Sequence, residues 1–388
     1  MRLAAVAAVV LLTGCGSSAP TAGVSRSAAP SPTASASAEE TTSPSPQPSP
    51  SPSPYVLSLT GPVAPPPVPQ GQCALPIYWG DAAGIHTGFL PYPGGDFVAS
   101  TQTLDRHASG ATYDTAAGRW LPVEPETVSP DGLRFAYAEY DLPPGYNAGM
   151  GGGARPRTAG TLASAGRVHV VDVRSGADQV LYSGSPTYSV VGFTADGIYL
   201  SQVSITMDGD FSSGLFLIKA SGGTPSAVRG GDRALDRGGW TVQNGAAWGT
   251  EFSTGGGITA GNELVRLDLH TGATAKWLTA PEGTGVALLG FDPNSHPIVL
   301  TQASGYSTNG SPAPTPPTRL LIQSPSGTVL LFETSDTAAE LPFGPVSSDA
   351  RGAWMGGQLS VWFETANKVT KTEVAAVNSV IGVGATCQ

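Results

Sequence analysis

Lysine is almost missing from this chain: Lys219, Lys276, Lys368 and Lys371 are the only four, among 19 basic and 29 acidic residues. With a net charge of −10 and no dense basic cluster, nothing here can track a phosphate backbone, so nucleic acid is excluded as a partner. Cysteine is equally scarce, at three residues, and the five histidines (86, 107, 169, 270 and 296) include no pair at zinc-ligand spacing. No Gly-x-Ser-x-Gly elbow, His-Glu-x-x-His helix or phosphate loop is present. Asp208-Gly-Asp-Phe-Ser212 has oxygen spacing like that of a calcium loop but lacks its closing glutamate. No metal, cofactor or catalytic residue is therefore expected. Helix formers are thin too, because 51 glycines and 35 prolines weaken helix interiors. Short strands joined by many turns fit that composition.

The only sustained apolar run opens the chain. Arg2 precedes Leu3–Leu12, which is too short to span a bilayer but suits the core of a signal peptide. It ends in Leu12-Thr-Gly-Cys15, which closely resembles the lipobox of bacterial lipoproteins. The resemblance implies cleavage after residue 14, acylation of Cys15 and anchoring to the extracytoplasmic face of the cell membrane. Residues 16–54 are mostly Ser, Ala, Thr and Pro, closing in Ser-Pro repeats. Such a segment has too little apolar surface to offset its ordering entropy, so 15–72 reads as a disordered stalk. At about 3.1 Å per residue, it could hold a domain on the order of 100 Å from the lipid.

Beyond the stalk one hairpin recurs. In Arg167–Tyr182 a β-rich run meets Asp172, Ser175 and Gly176, and a second short strand follows. Copies turn at Gly118, Gly222, Gly272, Gly327 and near Asn367, spaced by 58, 46, 50, 55 and 40 residues along the chain. A strand-built period of that size is the mark of a propeller blade array. A second motif alternates with it, in which a strand end, a tight Asp or Asn turn and a new strand follow one another. It occurs at Ser129-Pro-Asp-Gly132, Thr194-Ala-Asp-Gly197, Asp292-Pro-Asn-Ser295 and Ser347-Ser-Asp349, with a degraded copy at Gln243-Asn-Gly245. Asp131, Asp172, Asp196 and Asp268 read as turn acceptors.

These motifs resemble the TolB-like and WD-repeat-like β-propellers of bacterial envelopes, with the match strongest over 129–137. The resemblance implies an all-β propeller over 73–388, of six four-stranded blades (strands A to D). The Asp turn would join A to B and the Gly hairpin C to D. Blade one takes Gly95–Ser100 as strand B, the Gly118 hairpin as C and D, and strand A from either terminus. Cys73 and Cys387 stand at the two ends and are the only thiols left once Cys15 is lipidated. They pair in an exported chain or remain as two buried thiols.

Length varies among the B–C connections: 141–165, 206–213, 253–261 and 303–318. That face is the candidate binding face, with Tyr146, Asn147, Arg155, Arg157, Asp208 and Asp210 its first residues. Drift in Gly- and Pro-rich loops would produce the same lengths. The seven tryptophans fall in or beside strands, where packing between blades explains them first. The functional expectation is a monomeric, membrane-anchored, non-catalytic module that binds an envelope protein or glycan. The alternative is an envelope hydrolase or lyase acting on glycan or peptide.

Overall fold

The structure, a computed structural model, describes residue 59 and residues 61–388, apart from 82, 106–107, 142–164, 207–208, 234, 236–238, 252–260, 282, 304–314, 375–376 and 378. Cys15 lies outside that range. One 3-10 turn, Pro125–Thr127, is the only helical element among the described residues. The rest is antiparallel strand.

Blade one holds β1 (Cys73–Asp81), β2 (Gly84–Tyr92) and β3 (Val98–Leu104), and a small hairpin, β4 (Thr112–Asp114) and β5 (Arg119–Leu121), follows it. Blade two holds β6 (Arg134–Tyr140), β7 (Gly166–Asp172) and β8 (Asp178–Gly184), its inner strand reduced to the bridge between Val128 and Phe135. Blade three is β9 (Tyr188–Thr194), β10 (Gly197–Thr206), β11 (Gly209–Ile218) and β12 (Ser226–Ala227). Blade four is β13 (Thr241–Gln243), β14 (Ala246–Glu251), β15 (Glu263–Asp268) and β16 (Thr274–Thr279). Blade five is β17 (Thr284–Phe291), β18 (Pro297–Ala303), β19 (Thr318–Ser324) and β20 (Gly327–Thr334). Blade six is β21 (Phe343–Asp349), β22 (Gly352–Gly356), β23 (Ser360–Thr365) and β24 (Lys368–Glu373). The last strand, β25 (Ile381–Val383), returns to pair with β1 and completes blade one in the order β25-β1-β2-β3.

Packing between successive blades makes these sheets a ring. Ala136, Val170 and Leu181 of blade two meet Phe193 and Ile198 of blade three. Tyr199 and Leu215 of blade three then meet Trp240 and Val265 of blade four. Trp248 and Leu264 of blade four pack on Phe291 and Val299 of blade five. Ile298 and Ile322 of blade five pack on Met355 and Trp362 of blade six. Trp354 and Val361 of blade six close on Leu75, Ile77 and Ile381 of blade one. The chain is a six-bladed β-propeller closed by its own C-terminus. Gly356 shows how tight that closure is: a Cβ there would lie 1.7 Å from the Ile381 carbonyl oxygen.

The disulfide expected at the two ends is present, Cys73 to Cys387 across 314 residues. Its position explains its use. In the other blades strand A turns into strand B through a tight loop, but in blade one that junction lies between the two chain ends. The bond stands in for the missing turn, flanked by the reciprocal pair Ala74 N–H to Gln388 O (3.1 Å) and Gln388 N–H to Ala74 O (3.0 Å).

Turn chemistry explains the repeated hairpins. Asp172 accepts from the Ser175 N–H and hydroxyl, both at 2.7 Å, and Asp268 accepts from Thr271 in the same way at 2.9 and 2.8 Å. Gly176 and Gly272 follow at φ 71° and 74°, a region that costs other residues strain. Asp131 accepts from Ser129 Oγ and the Leu133 N–H. At Asp196 the expected role is not seen: its N–H donates to Thr194 Oγ1 at 3.2 Å. The 243–245 turn is not degraded, because Asn244 and Gly245 both take positive φ (51° and 72°), the two-residue hairpin suited to strand twist.

Blade one differs from the sequence reading. The strand beginning near Val98 is the outermost of its sheet, not strand B, in keeping with its polar Ser, Thr and Gln side chains. The Gly118 hairpin forms a separate two-stranded element, wedged between blades one and two. Tyr113 and Trp120 pack on Phe89 and Leu104 of blade one, while Leu121 and Val123 pack on Phe135 and Val171 of blade two. The end of the expected stalk also joins the fold. Val63 N–H donates to Gly118 O (2.6 Å), Tyr113 Oη donates to Val63 O (2.7 Å), and Leu59, Val63 and Val68 supply the apolar contacts that the earlier Ser-Pro repeats lack.

Candidate functional site

In a propeller the innermost strands face the central channel, and here a run of unusual composition reaches it. Val123-Glu-Pro-Glu-Thr127 leads into the inner edge of blade two. Pro125 opens the 3-10 turn, its fixed φ and missing N–H suiting a first helical position. Thr127 N–H (3.1 Å) and Thr127 Oγ1 (2.9 Å) both donate to the Glu124 carbonyl and hold that turn. Glu124 and Glu126 then line a cavity of about 230 Å³ with Thr241 and Gln243 of blade four, Leu288–Phe291 of blade five and Gly344–Val346 of blade six. Contributions from four blades place this cavity in the channel.

The electrostatics there are those of crowded, poorly hydrated acids. Burial raises the Glu124 carboxyl well above the usual carboxylate range, and the charge of Glu126 and a hydrogen bond to it add to the shift. Tyr78, whose ring lies over Gly382, is raised in turn by burial and then by the charges of Glu124 and Glu126. The arrangement can present a neutral carboxyl donor beside an acceptor to a hydroxyl or amide ligand. It also has a pH signature. A carboxyl raised in the folded state favours folding below its unfolded pKa of about 4.3, and that contribution is lost as pH rises through the folded value. Glu124→Gln should therefore flatten the decline in urea midpoint between acid and neutral pH and make the protein at least as stable as the wild type at pH 8. An unchanged pH profile would show that Glu124 ionises freely.

A second cavity, of about 270 Å³, shares Gln243 and Phe291 with the first and runs from the channel to the tight-turn rim between blades four and five. Trp248, Trp277 and Arg266 wall it, with Asn244 and Asn294–His296 at its turns. The rings of Trp248 and Trp277 meet edge to face at 4.7 Å and 79°, and Trp248 meets Phe291 at 5.6 Å. Asn244 Nδ2 donates to Ser295 Oγ at 2.6 Å, tying the two A–B turns together.

Of the residues expected from sequence, Tyr146, Asn147, Arg155, Arg157 and Asp208 lie outside the described residues. Asp210 falls within β11, its backbone paired with Ile205 of β10. The 206–213 connection is thus not a long loop: β10 and β11 run on until Thr206 faces Gly209, as their β-branched residues favour. At the foot of the 142–164 connection lies a polar network. Arg167 binds Glu139 (2.9 Å) and Asp141 (2.6 Å), and buried His169 lies 3.0 Å from Asp178 and stacks on Tyr137 at 4.5 Å. That is the structural role expected of His169, in a network where Arg167 opposes the Glu139 and Asp141 carboxylates. Glu124 and Glu126 were not legible as a site, although Glu-Pro-Glu just before the inner strand of a blade was an available signal. Arg266 was equally readable, as a charge at an apolar position of the repeated hairpin. Among the described residues no group of three side chains could hold a metal ion.

No family model and no curated protein matches the sequence. Solved structures overlap with it at low identity. TolB from Acinetobacter baumannii is 13% identical, covering 81% of this chain and 67% of its own, with a TM-score of 0.42. An oligogalacturonate lyase from Vibrio parahaemolyticus is 11% identical, covering 79% and 80%, with a TM-score of 0.39. The tricorn protease is 12% identical over 79% of this chain, with a TM-score of 0.40, and this chain spans about a quarter (27%) of its length.

Proposed function

We propose that this protein is a lipid-anchored, extracytoplasmic propeller that serves as a binding module for an envelope protein or glycan. The observation that carries this reading is the Cys73–Cys387 bond in the place of a blade turn. A ring clasped in that way suits an oxidising compartment, to which the Leu-Thr-Gly-Cys15 box would deliver it. A circular scaffold with one cavity in its channel and a second adjoining it toward the tight-turn rim holds side chains in fixed positions, which favours capture of a ligand with little ordering cost. Two acyl chains would anchor it, since each buried CH₂ contributes about 0.8 kcal/mol. Replacing Cys15 with Ser should move the protein from the detergent phase to the aqueous phase or the medium, or leave the precursor uncleaved. Unchanged detergent partitioning would refute the anchor.

A second reading, an envelope hydrolase or lyase, is favoured by the Glu124–Glu126 pair. A carboxyl whose affinity for its proton is raised by burial beside a second carboxyl is the kind of arrangement that general acid chemistry uses. Turnover of a glycan or peptide that is lost in Glu124→Gln would decide for it.

A further inference from the structure

Blades two, four and five share a bulge at the same place in their C–D hairpins, and blade four departs from the other two where a cavity opens. Each of these hairpins contains a bulge. Val168 pairs with Tyr182 and His169 with Val180, Leu264 with Leu278 and Val265 with Lys276, Leu320 with Phe332 and Leu321 with Leu330. The extra residue on the outer strand is Leu181, Trp277 and Leu331 respectively. Two positions past the first residue of each strand-C pair stand Val170, Arg266 and Ile322. Their partners across strand B are Ala136, Trp248 and Ile298.

In blades two and five these sites are aliphatic and fill the contact with the next blade: Val170 and Ile322 are 6% and 4% exposed. The fold is satisfied by small apolar side chains there. Blade four instead sets an arginine and two tryptophans at the matching sites, and the space toward blade five becomes the 270 Å³ cavity. A bulge re-aims the side chain of its extra residue, and half-buried Trp277 is that residue. Arg266 is held loosely. Its guanidinium lies 5.8 Å over the Trp248 ring, and Nη1 is 3.5 Å from Asp268, longer than a charge-assisted hydrogen bond. Among the described residues it donates no closer bond.

We propose that this cavity binds a sugar ring bearing a carboxylate, a uronic acid residue of an acidic saccharide. Three kinds of group converge on it. The Arg266 fork matches a carboxylate in two parallel hydrogen bonds. Trp277 offers an aromatic wall to the apolar C–H face of a ring. Gln243, Asn244 and Asn294 line the same cavity with side-chain amides, which donate to and accept from hydroxyls. The volume lies near the small end of the range for ligand sites, roughly 300–1,000 Å³, and so suits one or two rings. This inference rests on the reading of the propeller as a binding module and moves the site to the tight-turn rim.

The test is titration of the full-length mature protein in detergent, followed by tryptophan fluorescence and calorimetry. The probes are a glucuronate-bearing disaccharide, the neutral disaccharide of the same linkage, and benzoate. The glucuronate disaccharide should saturate and bind at least tenfold more tightly than either control. Arg266→Ile should bring the acidic and neutral sugars to equal affinity, and Trp277→Leu should weaken both about tenfold. Both substitutions install the kind of side chain that the neighbouring blades carry, so melting should change little. If either variant fails to fold, Arg266→Lys keeps the charge without the fork and should lose most of the preference. Tighter binding of benzoate, no saturation by the acidic sugar, or affinities unmoved in folded variants would overturn the site. Product release during the titration would defeat the non-catalytic reading and leave the site standing, whereas a failed titration removes this site without bearing on the lipid anchor, which the partition assay tests.

Discussion

Replacing both Cys73 and Cys387 with alanine is expected to destabilise the propeller by several kcal/mol, with the chain-entropy figure of roughly 5.7 kcal/mol for a loop of 314 residues as the upper value. For a domain of this size that corresponds to a fall in Tm on the order of 8 °C. Position adds to loop length as a reason to expect a large effect. Elsewhere in the ring a covalent turn ties strand A to strand B, but in blade one the disulfide is the one covalent link between β25 and β1, beside their hydrogen bonds and apolar packing. Without the bond, opening should begin there, with β25 leaving blade one and exposing Ile381, Val383 and the Trp354 side of blade six. Urea unfolding with and without reductant measures this, and early protease cleavage in 374–388 would locate it. A double variant with the urea midpoint of the wild type would show that the C-terminal strand closes the ring unaided.

The second large effect is expected from Trp120→Ala. Trp120 is 0% exposed and packs in the wedge between blades one and two, 6.0 Å from the Phe89 ring and 5.4 Å from that of Tyr113. It also covers Gly384, where a Cβ would come within 2.3 Å of its ring. Removing a buried tryptophan from such a site costs about 3–5 kcal/mol. Because Gly384 follows β25 directly, part of the loss should fall on closure. Trp120→Ala combined with the loss of the disulfide should therefore destabilise by more or less than the sum of the two, as coupled neighbours do. Strict additivity in urea midpoints would mean that the wedge and the clasp act independently. An effect under 1 kcal/mol would mean that the hairpin is an ornament rather than part of the ring.

What the sequence made legible follows from how local each signal is. The Asp-x-x-Ser/Thr-Gly hairpins at 172–176 and 268–272 carry their own geometry in five residues, so period and fold class could be read directly. The Cys73–Cys387 pair was readable because few thiols and two chain ends leave few choices. Blade one was misread where signals are not local. A hairpin such as 112–121 looks the same whether its strands extend a sheet or stand apart, and only the packing of Trp120 and Leu121 on two different blades separates the cases. The channel acids depend on four blades meeting, which no spacing records. The cavity beside Trp277 lies between these extremes. Each hairpin was visible, but the meaning of Arg266 comes only from setting it against Val170 and Ile322 in register.

The central claim is a ring closed by its own C-terminal strand and the Cys73–Cys387 bond, and non-reducing peptide mapping of the native protein tests it most directly. The account predicts one cross-linked peptide pair containing Cys73 and Cys387, separated only by reductant. Recovery of both cysteines as alkylated thiols from the natively folded protein would contradict it.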